Sequence, residues 1–247
     1  MKEDLEYVIS PGGIFSGLNF PALGTDEIHL WTVTGDSSSF ADKCRQALTK
    51  AEVGRSGYFK FKAAQDSYVI SQGGLKLLLS AYLNIPPQEV KLGRHSKGKP
   101  FSIDDPSLNF NISNSGNRVV YAFSRAGDVG IDLEYIRPLP DLDELIEKNF
   151  SKKESEYINK NSNERLQRFF KFWTVKEAYL KAIGEGMRLT PDNLEFSIEN
   201  GIYNLISVKG FFEQDEWITG NIFPGEHFTG TLTYLGTNSR ISEMMNL

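Results

Sequence analysis

Apolar and polar residues alternate along the chain in patterns that predict both strands and helices. Residues 27–34 alternate with a period of two, which is typical of a strand. Residues 73–87 place leucines on one face at helical spacing, and Pro86 and Pro87 end that helix. The same reasoning predicts further elements: a helix over 39–57, a strand and a Gly-Lys turn over 90–102, strands over 109–113, 118–124 and 127–136, helices beginning at 151 and spanning about 164–184, a hairpin over 194–208 turning at Asn200 and Gly201, and a strand over 226–236.

Two local signals mark the ends of the C-terminal helices. Ser151 stands three residues before Glu154, the spacing at which a hydroxyl and a carboxylate cap a helix start reciprocally. Gly184 or Gly186 is expected to end the long helix, because glycine readily adopts the left-handed conformation that closes a helix.

The long helix carries a carboxylate inside its apolar stripe. At about 100° per residue the stripe occupies one side of the helix, and its members are Leu166, Phe169, Phe170, Trp173 and Leu180. Glu177 falls within the same stripe, so we expect it to point toward the core, where a carboxylate is costly unless it is paired or binds a metal. Lys181 stands one turn further on, and a surface ion pair between Glu177 and Lys181 is the simpler interpretation.

The strand over 127–136 places two carboxylates side by side. Its side chains alternate between faces, so Asp132 and Glu134 share one face. Neighbouring carboxylates repel, which raises a pKa unless a cation lies between them, and Mg²⁺ typically takes one or two carboxylates together with phosphate oxygens. An ordinary half-exposed edge strand is the alternative interpretation of this motif alone.

Together these positions provide the components of a site for a pyrophosphate and its metal. Asp132, Glu134 and Glu177 offer three carboxylates for one divalent cation. Three lysines offer positive charge for an anionic ligand, namely Lys99, Lys176 and Lys181. Neither a glycine-rich P-loop nor a GxGxxG motif occurs in the sequence, which argues against those two classes of nucleotide-binding protein.

Composition narrows the class of protein. The 247 residues suit one large domain or two compact halves, and the net charge of −5 argues against nucleic-acid binding through bulk charge. One cysteine and three scattered histidines exclude a disulfide framework and a zinc signature. A charged start and the absence of a long apolar run predict neither a signal peptide nor a membrane span. We expect a cytoplasmic α/β or α+β protein, with the boundary between its two halves near 124–128.

Four motifs, in order, resemble the surfactin-type 4′-phosphopantetheinyl transferase family. They are GKP, FNISNSG, VGIDLE and FWTVKEAYLK, and they lie between about Gly98 and Lys181. The resemblance implies an α+β, sandwich-like fold of two similar halves, 1–124 and 125–247, related by a pseudo-twofold axis. The length is similar to that of the monomeric, two-halved type rather than the short trimeric synthases.

The resemblance also implies an activity and its ligands. Coenzyme A and Mg²⁺, with Mn²⁺ as an alternative, would bind in the cleft between the halves. The implied reaction moves phosphopantetheine from coenzyme A to a serine of an apo acyl or peptidyl carrier protein and releases adenosine 3′,5′-bisphosphate. Such carriers serve fatty-acid, polyketide and non-ribosomal peptide synthesis.

Residue roles follow from the matching motifs. Asp132, Glu134 and Glu177 would bind the metal, with Asp132, Glu177 and Lys181 as the catalytic set. Glu177 would deprotonate the acceptor serine, directly or through water, and Lys181 would stabilise charge on the pyrophosphate as its bond breaks. The resemblance places coenzyme A against Lys99, Pro100, Ser113, Asn114, Asp132, Lys176 and Lys181.

Within NFNISNSG, we expect one pair of side chains to face inward and another to face the ligand. Phe110 and Ile112 would anchor the segment, while Ser113 and Asn114 would face phosphate. Family members usually have histidine where this chain has Asn114. An amide can still donate a hydrogen bond, but it cannot become cationic.

A second departure concerns an arginine that family members place near the start of the following helix, where it contacts the 3′-phosphate. The matching position here is near Ser67. Arg55 and Lys62 stand nearby and could compensate, although ordinary surface charge is an equally open interpretation. These departures leave an alternative function open: a catalytically impaired homologue that binds coenzyme A or a carrier protein. Another Mg²⁺-dependent reaction on a pyrophosphate ligand has only the carboxylates in its favour.

Overall fold

The computed structural model describes residues 21–34, 38–199, 202–209, 217–222, 224–236 and 240–244. The strands are β1 (Glu27–Thr34), β2 (Leu92–Arg94), β3 (Pro100–Ser102), β4 (Asn109–Ser115), β5 (Arg118–Ser124), β6 (Val129–Tyr135), β7 (Leu194–Glu199), β8 (Ile202–Val208), β9 (Trp217–Ile222), β10 (Phe228–Leu235) and β11 (Arg240–Met244). The helices are α1 (Ser38–Ala47), α2 (Lys50–Ser56), α3 (Lys62–Leu83), α4 (Leu142–Asn149), α5 (Lys152–Asn159) and α6 (Arg165–Ile183), with short 3₁₀ turns at Gly186–Arg188 and Pro191–Asn193.

The predicted strands are confirmed, except that 90–102 holds two short strands, β2 and β3, on either side of its turn. The predicted N-terminal helices need correction. The single helix expected over 39–57 is two helices, because Thr49 starts a new one: its hydroxyl accepts a hydrogen bond from the Glu52 amide, and its own amide donates to the Glu52 carboxylate. The helix expected over 73–87 is the C-terminal part of the longer α3, which ends at Asn84 in the left-handed conformation. No prediction covered α4, β9 or β11.

The C-terminal predictions hold where the structure describes them. The Ser151–Glu154 capping box is present in both directions at the start of α5. Gly184, with φ of 67°, ends α6. The predicted hairpin is formed by β7 and β8, whereas its turn at Asn200 and Gly201 lies outside the described residues.

Two large sheets and the helices on their outer faces make four layers, an α+β architecture, and β2 and β3 form a separate two-stranded sheet. The first sheet has the order β11-β1-β5-β4 and the second β6-β10-β9-β8-β7. Apolar side chains from both sheets form one cluster between them, including Leu30 and Val120 from the first and Ile131 and Leu133 from the second. Helices α1 and α3 pack on the outer face of the first sheet, and α6 packs on the outer face of the second.

The last described strand returns to the first sheet. β11 pairs with β1 in parallel, so a strand from the C-terminal end of the chain extends the sheet built by the N-terminal part. The division of the chain into halves at 124–125, with a pseudo-twofold axis between them, stays a prediction.

Side chains of β4 take the place of a neighbouring strand along the edge of β6. Asn111, Ser113 and Ser115 lie on one face of β4, and their side-chain oxygens accept hydrogen bonds from the amides of Ile131, Leu133 and Tyr135 at 3.0, 3.2 and 3.0 Å. An edge strand otherwise leaves such amides unpaired. This row, the β4–β6 seam, explains why NFNISNSG is rich in small polar residues.

Helix α6 lies unusually close to β6. A β-carbon built on Gly130 would stand 2.1 Å from the Ala178 carbonyl oxygen and 2.3 Å from the Ala182 nitrogen. Only glycine therefore permits this approach, which brings the polar face of β6 against the helix that carries Glu177 and Lys181.

Candidate active site

An open cleft of about 660 Å³ brings together several predicted residues from distant parts of the chain. Its walls come from the turn before β3, from β4 and from the C-terminal half of α6. We call it the lysine cleft, after three of the residues that line it: Lys97, Lys99 and Lys181. Pro100 and Glu177 line it as well, so the Gly-Lys-Pro turn and the end of the FWTVKEAYLK motif meet there.

Asp132 lies at the centre of the polar face of β6 and is only 5% exposed. Its Oδ1 atom accepts hydrogen bonds from the Ser113 hydroxyl at 2.9 Å and from the Lys181 ammonium at 2.7 Å. Its Oδ2 atom is buried and has no hydrogen-bond partner. Burial raises the pKa of this carboxyl, and the positive charge of Lys181 opposes that shift.

Glu134 is held two residues further along the same strand. Its Oε2 atom accepts a hydrogen bond from the Ser115 hydroxyl at 2.8 Å. Burial raises the pKa of this carboxyl, and the nearby charge of Asp132 raises it further, while the Ser115 bond opposes the shift. The β4–β6 seam therefore fixes both carboxylates: Ser113 donates to Asp132 and Ser115 to Glu134.

Glu177 faces the lysine cleft rather than the core, which corrects its predicted placement. Helix α6 is buried on most of its circumference, and its completely enclosed side includes Val175 and Tyr179. Trp173 and Glu177 are only half-buried. Burial raises the pKa of Glu177, and the charge of Asp132 adds to the shift.

The expected surface pair between Glu177 and Lys181 is not formed. The Lys181 ammonium donates instead to Asp132, to the Ser113 hydroxyl at 3.0 Å and to the Ile131 carbonyl at 3.1 Å. Among the described residues, no salt bridge reaches Glu177. Its carboxylate is thus available to a ligand in the cleft.

The turn before β3 supplies the other cations, each already matched by a carboxylate. Lys97 pairs with Glu185. Lys99 donates to the Ala182 carbonyl at 2.6 Å and pairs with Asp128 at 2.5 Å. Burial lowers the pKa of Lys99, and its pairing with Asp128 opposes that shift. These contacts tie the turn to the end of α6 and hold its lysines beside the cleft.

Lys176 does not contact the cleft, so its predicted role in binding coenzyme A is corrected. Its side chain is fully buried in an ion pair of 2.7 Å with Glu154, which is also fully buried. Its ammonium further donates to three backbone carbonyls, those of Asn149, Pro191 and Leu194. An ammonium with four acceptors in the core cannot reach a ligand, and its role is to fasten α6 to α5 and β7.

Ser113 and Asn114 do not face a ligand together, because neighbouring residues of a strand point to opposite faces. Ser113 is buried in the seam beside Lys181. Asn114 shares the other face with Phe110, which is buried as predicted, and Ile112. Its amide donates to the Ser67 hydroxyl at 3.0 Å. The structure therefore joins the two positions at which this chain departs from the family pattern.

Arg55 lies on α2 and is exposed. It does not line the lysine cleft. Lys62, at the start of α3, pairs with Asp66 one turn later. Neither residue is thus placed against the cleft by the structure, and compensation by Arg55 stays a prediction.

The donor set suits a divalent cation, although it is not closed around one. No group of three or more histidine, cysteine, aspartate or glutamate side chains is ready to hold a metal in the described part of the chain. The charge of Asp132 nevertheless raises the pKa of Glu134 and of Glu177, and the charge of Glu134 also raises that of Glu177, so the three carboxylates lie near one another. The unpartnered, buried Oδ2 atom of Asp132 is an acceptor that a cation would satisfy. Mg²⁺ needs only one or two carboxylates when phosphate supplies other ligands.

Sequence reasoning missed two residues that shape this site. Asn111 lines the lysine cleft and completes the seam, and Ser115 holds Glu134. The signal was the two-residue period of polar side chains in β4, which marks one continuous polar face.

Two family models match the chain, one for each part. The model for the 4′-phosphopantetheinyl transferase superfamily matches residues 128–228, and the model for the 4′-phosphopantetheinyl transferase N-terminal region matches residues 30–126. The 4′-phosphopantetheinyl transferase HetI of Nostoc sp. is 36% identical over 168 residues, which are 66% of this chain and 71% of HetI. This chain belongs to the 4′-phosphopantetheinyl transferase family.

Other members of the family match over shorter stretches. The mouse L-aminoadipate-semialdehyde dehydrogenase-phosphopantetheinyl transferase is 35% identical over 56% of this chain and 50% of its own length. The 4′-phosphopantetheinyl transferase gsp of Aneurinibacillus migulanus is 38% identical over 53% of this chain and 54% of its own. The chain thus spans about half the length of these two transferases. Holo-[acyl-carrier-protein] synthase from Thermotoga maritima matches 46% of this chain and 64% of its own, at 21% identity and a TM-score of 0.36, a match too weak to support an argument.

No helix in the described ranges is long and apolar enough to cross a membrane.

Proposed function

We propose that this transferase moves the 4′-phosphopantetheine arm of coenzyme A to a serine of an apo acyl or peptidyl carrier protein in an Mg²⁺-dependent reaction. Adenosine 3′,5′-bisphosphate is the product released. The observation that carries the proposal is the buried, unpartnered Oδ2 atom of Asp132 beside Lys181, at the edge of a cleft lined by lysines. A buried acceptor without a partner is costly unless a ligand satisfies it.

Asp132, Glu134 and Glu177 would hold the metal. When bound, Mg²⁺ supplies positive charge against the pyrophosphate oxygens, which favours phosphoryl transfer. Mn²⁺ offers the same charge and is the alternative cation. Ser113 and Ser115 keep the two strand carboxylates in place through the β4–β6 seam.

Lys181 would bind the pyrophosphate as negative charge grows on the leaving group. Its ammonium lies at the cleft wall with 29% of the side chain exposed, so it can reach a ligand while remaining near Asp132. Lys99 and Pro100 would contact the nucleotide portion from the opposite wall, because they line the same cleft.

Glu177 would accept the proton of the acceptor serine, directly or through water. The serine oxygen forms a bond to the phosphorus of the pantetheine phosphate, and the bond from that phosphorus to the bridging oxygen breaks. Before a metal is bound, burial raises the pKa of Glu177, so its carboxylate accepts a proton more readily than that of an exposed glutamate. No side chain of the described residues needs to be displaced from it first.

Four further properties of the protein are part of this proposal. They are the surfactin-type subclass, a monomeric state, a cytoplasmic location and the involvement of Asn114 and Arg55 in coenzyme A binding. A catalytically impaired homologue finds no support, because the relatives are named as transferases and Asp132, Glu177 and Lys181 lie together at one site.

The test combines product analysis with a matched pair of variants. The purified protein, coenzyme A, Mg²⁺ and an apo carrier protein should release adenosine 3′,5′-bisphosphate in step with the carrier modified, and chelating the metal should stop both. Glu177→Gln should lower the rate by about 10²-fold or more. Glu147→Gln makes the same change on an exposed face of α4 and should leave the rate unchanged. Equal rates for the two variants would remove Glu177 from the mechanism.

A further inference from the structure

A second cavity, of about 390 Å³, lies against the N-terminal half of α6, at the end of the second sheet opposite the lysine cleft. We call it the polar cavity. Its walls are formed largely by hydrogen-bonding side chains, including Gln167, Lys171, Asn221, Glu226, His227 and Thr229. Neither the sequence motifs nor the proposed reaction uses it.

Four of these side chains have nothing to bind within the protein as described. Gln167, Lys171, Glu226 and His227 are exposed, and their side-chain polar atoms have no hydrogen bond or ion pair with any described residue. A concave wall of unpaired donors and acceptors differs from a solvated convex surface, because a bound segment can satisfy several of them at once.

The backbone at the rim is held in an uncommon conformation. His227 has φ of 62°, a left-handed value rarely adopted by residues other than glycine. The Ile136 amide donates to the His227 carbonyl at 2.8 Å, and the Phe228 amide donates to the Gly225 carbonyl at 3.2 Å, which fixes the turn. Such strain costs free energy and clusters at functional sites.

The strand register places this cavity next to the carboxylates. Thr229 pairs with Glu134 across β10 and β6, and Thr231 pairs with Asp132. The Thr174 hydroxyl of α6 bonds the Thr231 hydroxyl at 2.9 Å. Along α6, the polar cavity therefore comes first, the carboxylates lie beside the middle, and the lysine cleft is at the C-terminal end.

Phosphoryl transfer requires the attacking and leaving oxygens to lie roughly in line on opposite sides of phosphorus. If the leaving nucleotide occupies the lysine cleft, the attacking serine approaches phosphorus from the opposite side, and the carrier protein that bears it lies toward the N-terminal half of α6. The polar cavity opens on that side and belongs to the same helix and strands.

We propose that the polar cavity docks the segment of the acceptor carrier protein that bears the serine. The partner segment carries hydrogen-bonding side chains and exposed backbone, since the cavity offers a cation at Lys171, an anion at Glu226 and the neutral amide of Gln167. This inference rests on the proposed function, because it assumes a protein acceptor.

The test separates the Michaelis constant for the carrier protein from that for coenzyme A. His227→Gly removes the imidazole at a position whose φ suits glycine, so folding should be preserved. Lys171→Glu reverses one exposed charge. Lys50→Glu makes the same reversal at the exposed start of α2, on the other side of the protein. Thermal midpoints of all three variants establish that they are folded.

We expect KM for the carrier to rise about fivefold or more in His227→Gly and Lys171→Glu, the effect of one lost intermolecular hydrogen bond. KM for coenzyme A should stay within about twofold of the parent value, and Lys50→Glu should change neither constant. Unchanged carrier KM in both cavity variants would overturn the proposal, as would an equal rise in KM for coenzyme A. If the parent protein modifies no carrier at all, the proposed function itself fails, and this inference fails with it.

Discussion

Replacing Lys181 by methionine should separate the structural role of this lysine from its catalytic role. The methionine side chain has nearly the length of lysine but carries no charge. It removes three hydrogen bonds, to Asp132, the Ser113 hydroxyl and the Ile131 carbonyl. Asp132, with 7% of its side chain exposed, then loses its partner cation.

The cost in stability should be modest. Breaking a fully buried ion pair costs about 3–5 kcal/mol, but 29% of the Lys181 side chain is exposed, so the pair is partly screened by water. Asp132 can also take up a proton, because burial has already raised its pKa. We therefore expect a loss of about 1–2 kcal/mol in the free energy of unfolding.

The cost in rate should be larger. Removing one preorganised donor aimed at developing negative charge lowers kcat by about 10²–10³-fold in enzymes of known mechanism. Lys181→Arg keeps the charge but changes the geometry and should recover part of the rate. Both effects are read from urea unfolding and from initial rates of carrier modification at saturating coenzyme A.

The double variant Lys181→Met/Asp132→Asn distinguishes the two roles. It leaves no unpaired charge in the seam, so stability should return to within about 1 kcal/mol of the parent. The rate should stay at the level of the single variants or below. Near-parental activity in Lys181→Met would contradict contact between Lys181 and the pyrophosphate, and a double variant no more stable than Lys181→Met would contradict the ion-pair argument.

Three further predictions concern the scaffold around the site. Lys176→Met should cost about 3–5 kcal/mol of stability, because Glu154 is left buried without its cation; a loss below about 1 kcal/mol on urea unfolding would contradict this. Gly130→Ala should cost at least about 2 kcal/mol and most of the activity, since the new methyl group meets the Ala178 carbonyl, and normal activity in a folded variant would refute it. Burial lowers the pKa of His29 below 6.5, so the unfolded state binds more protons there and stability falls as the pH drops through 6.5. His29→Gln should weaken that loss between about pH 6.5 and 5 in thermal melts, and an identical pH profile would argue against it.

Patterns within short stretches of sequence predicted most helices and strands correctly. They failed where contacts between distant parts of the chain decide the structure. The Ser151–Glu154 capping box and the Gly184 stop depend on adjacent residues, so the sequence was sufficient. The parallel pairing of β11 with β1 joins residues more than 200 positions apart, and no short-range pattern announces it. Lys176 was misassigned for the same reason: its partner, Glu154, is brought to it by packing of α5 against α6.

The site could be predicted only in part, because the motifs identify reactive side chains but do not show which way each side chain points. Asp132, Glu177 and Lys181 do come together at one cleft edge. The prediction that Ser113 and Asn114 both face the ligand was wrong, because neighbouring side chains of a strand point to opposite faces. Ser113 lies in the β4–β6 seam, and Asn114 bonds Ser67. The β4–β6 seam was not predicted: the period-two pattern of polar residues is visible in the sequence, but only the structure shows that β6 is the strand that these side chains bond.

The central claim is transfer of the phosphopantetheine arm, and intact-mass measurement of carrier proteins tests it most directly. Several apo acyl and peptidyl carriers are incubated with the protein, coenzyme A and Mg²⁺. The account predicts that at least one carrier gains the mass of one phosphopantetheine arm, and that a carrier whose acceptor serine is replaced by alanine gains none. Unchanged masses across the whole panel, or a gain that survives loss of the serine, would contradict it.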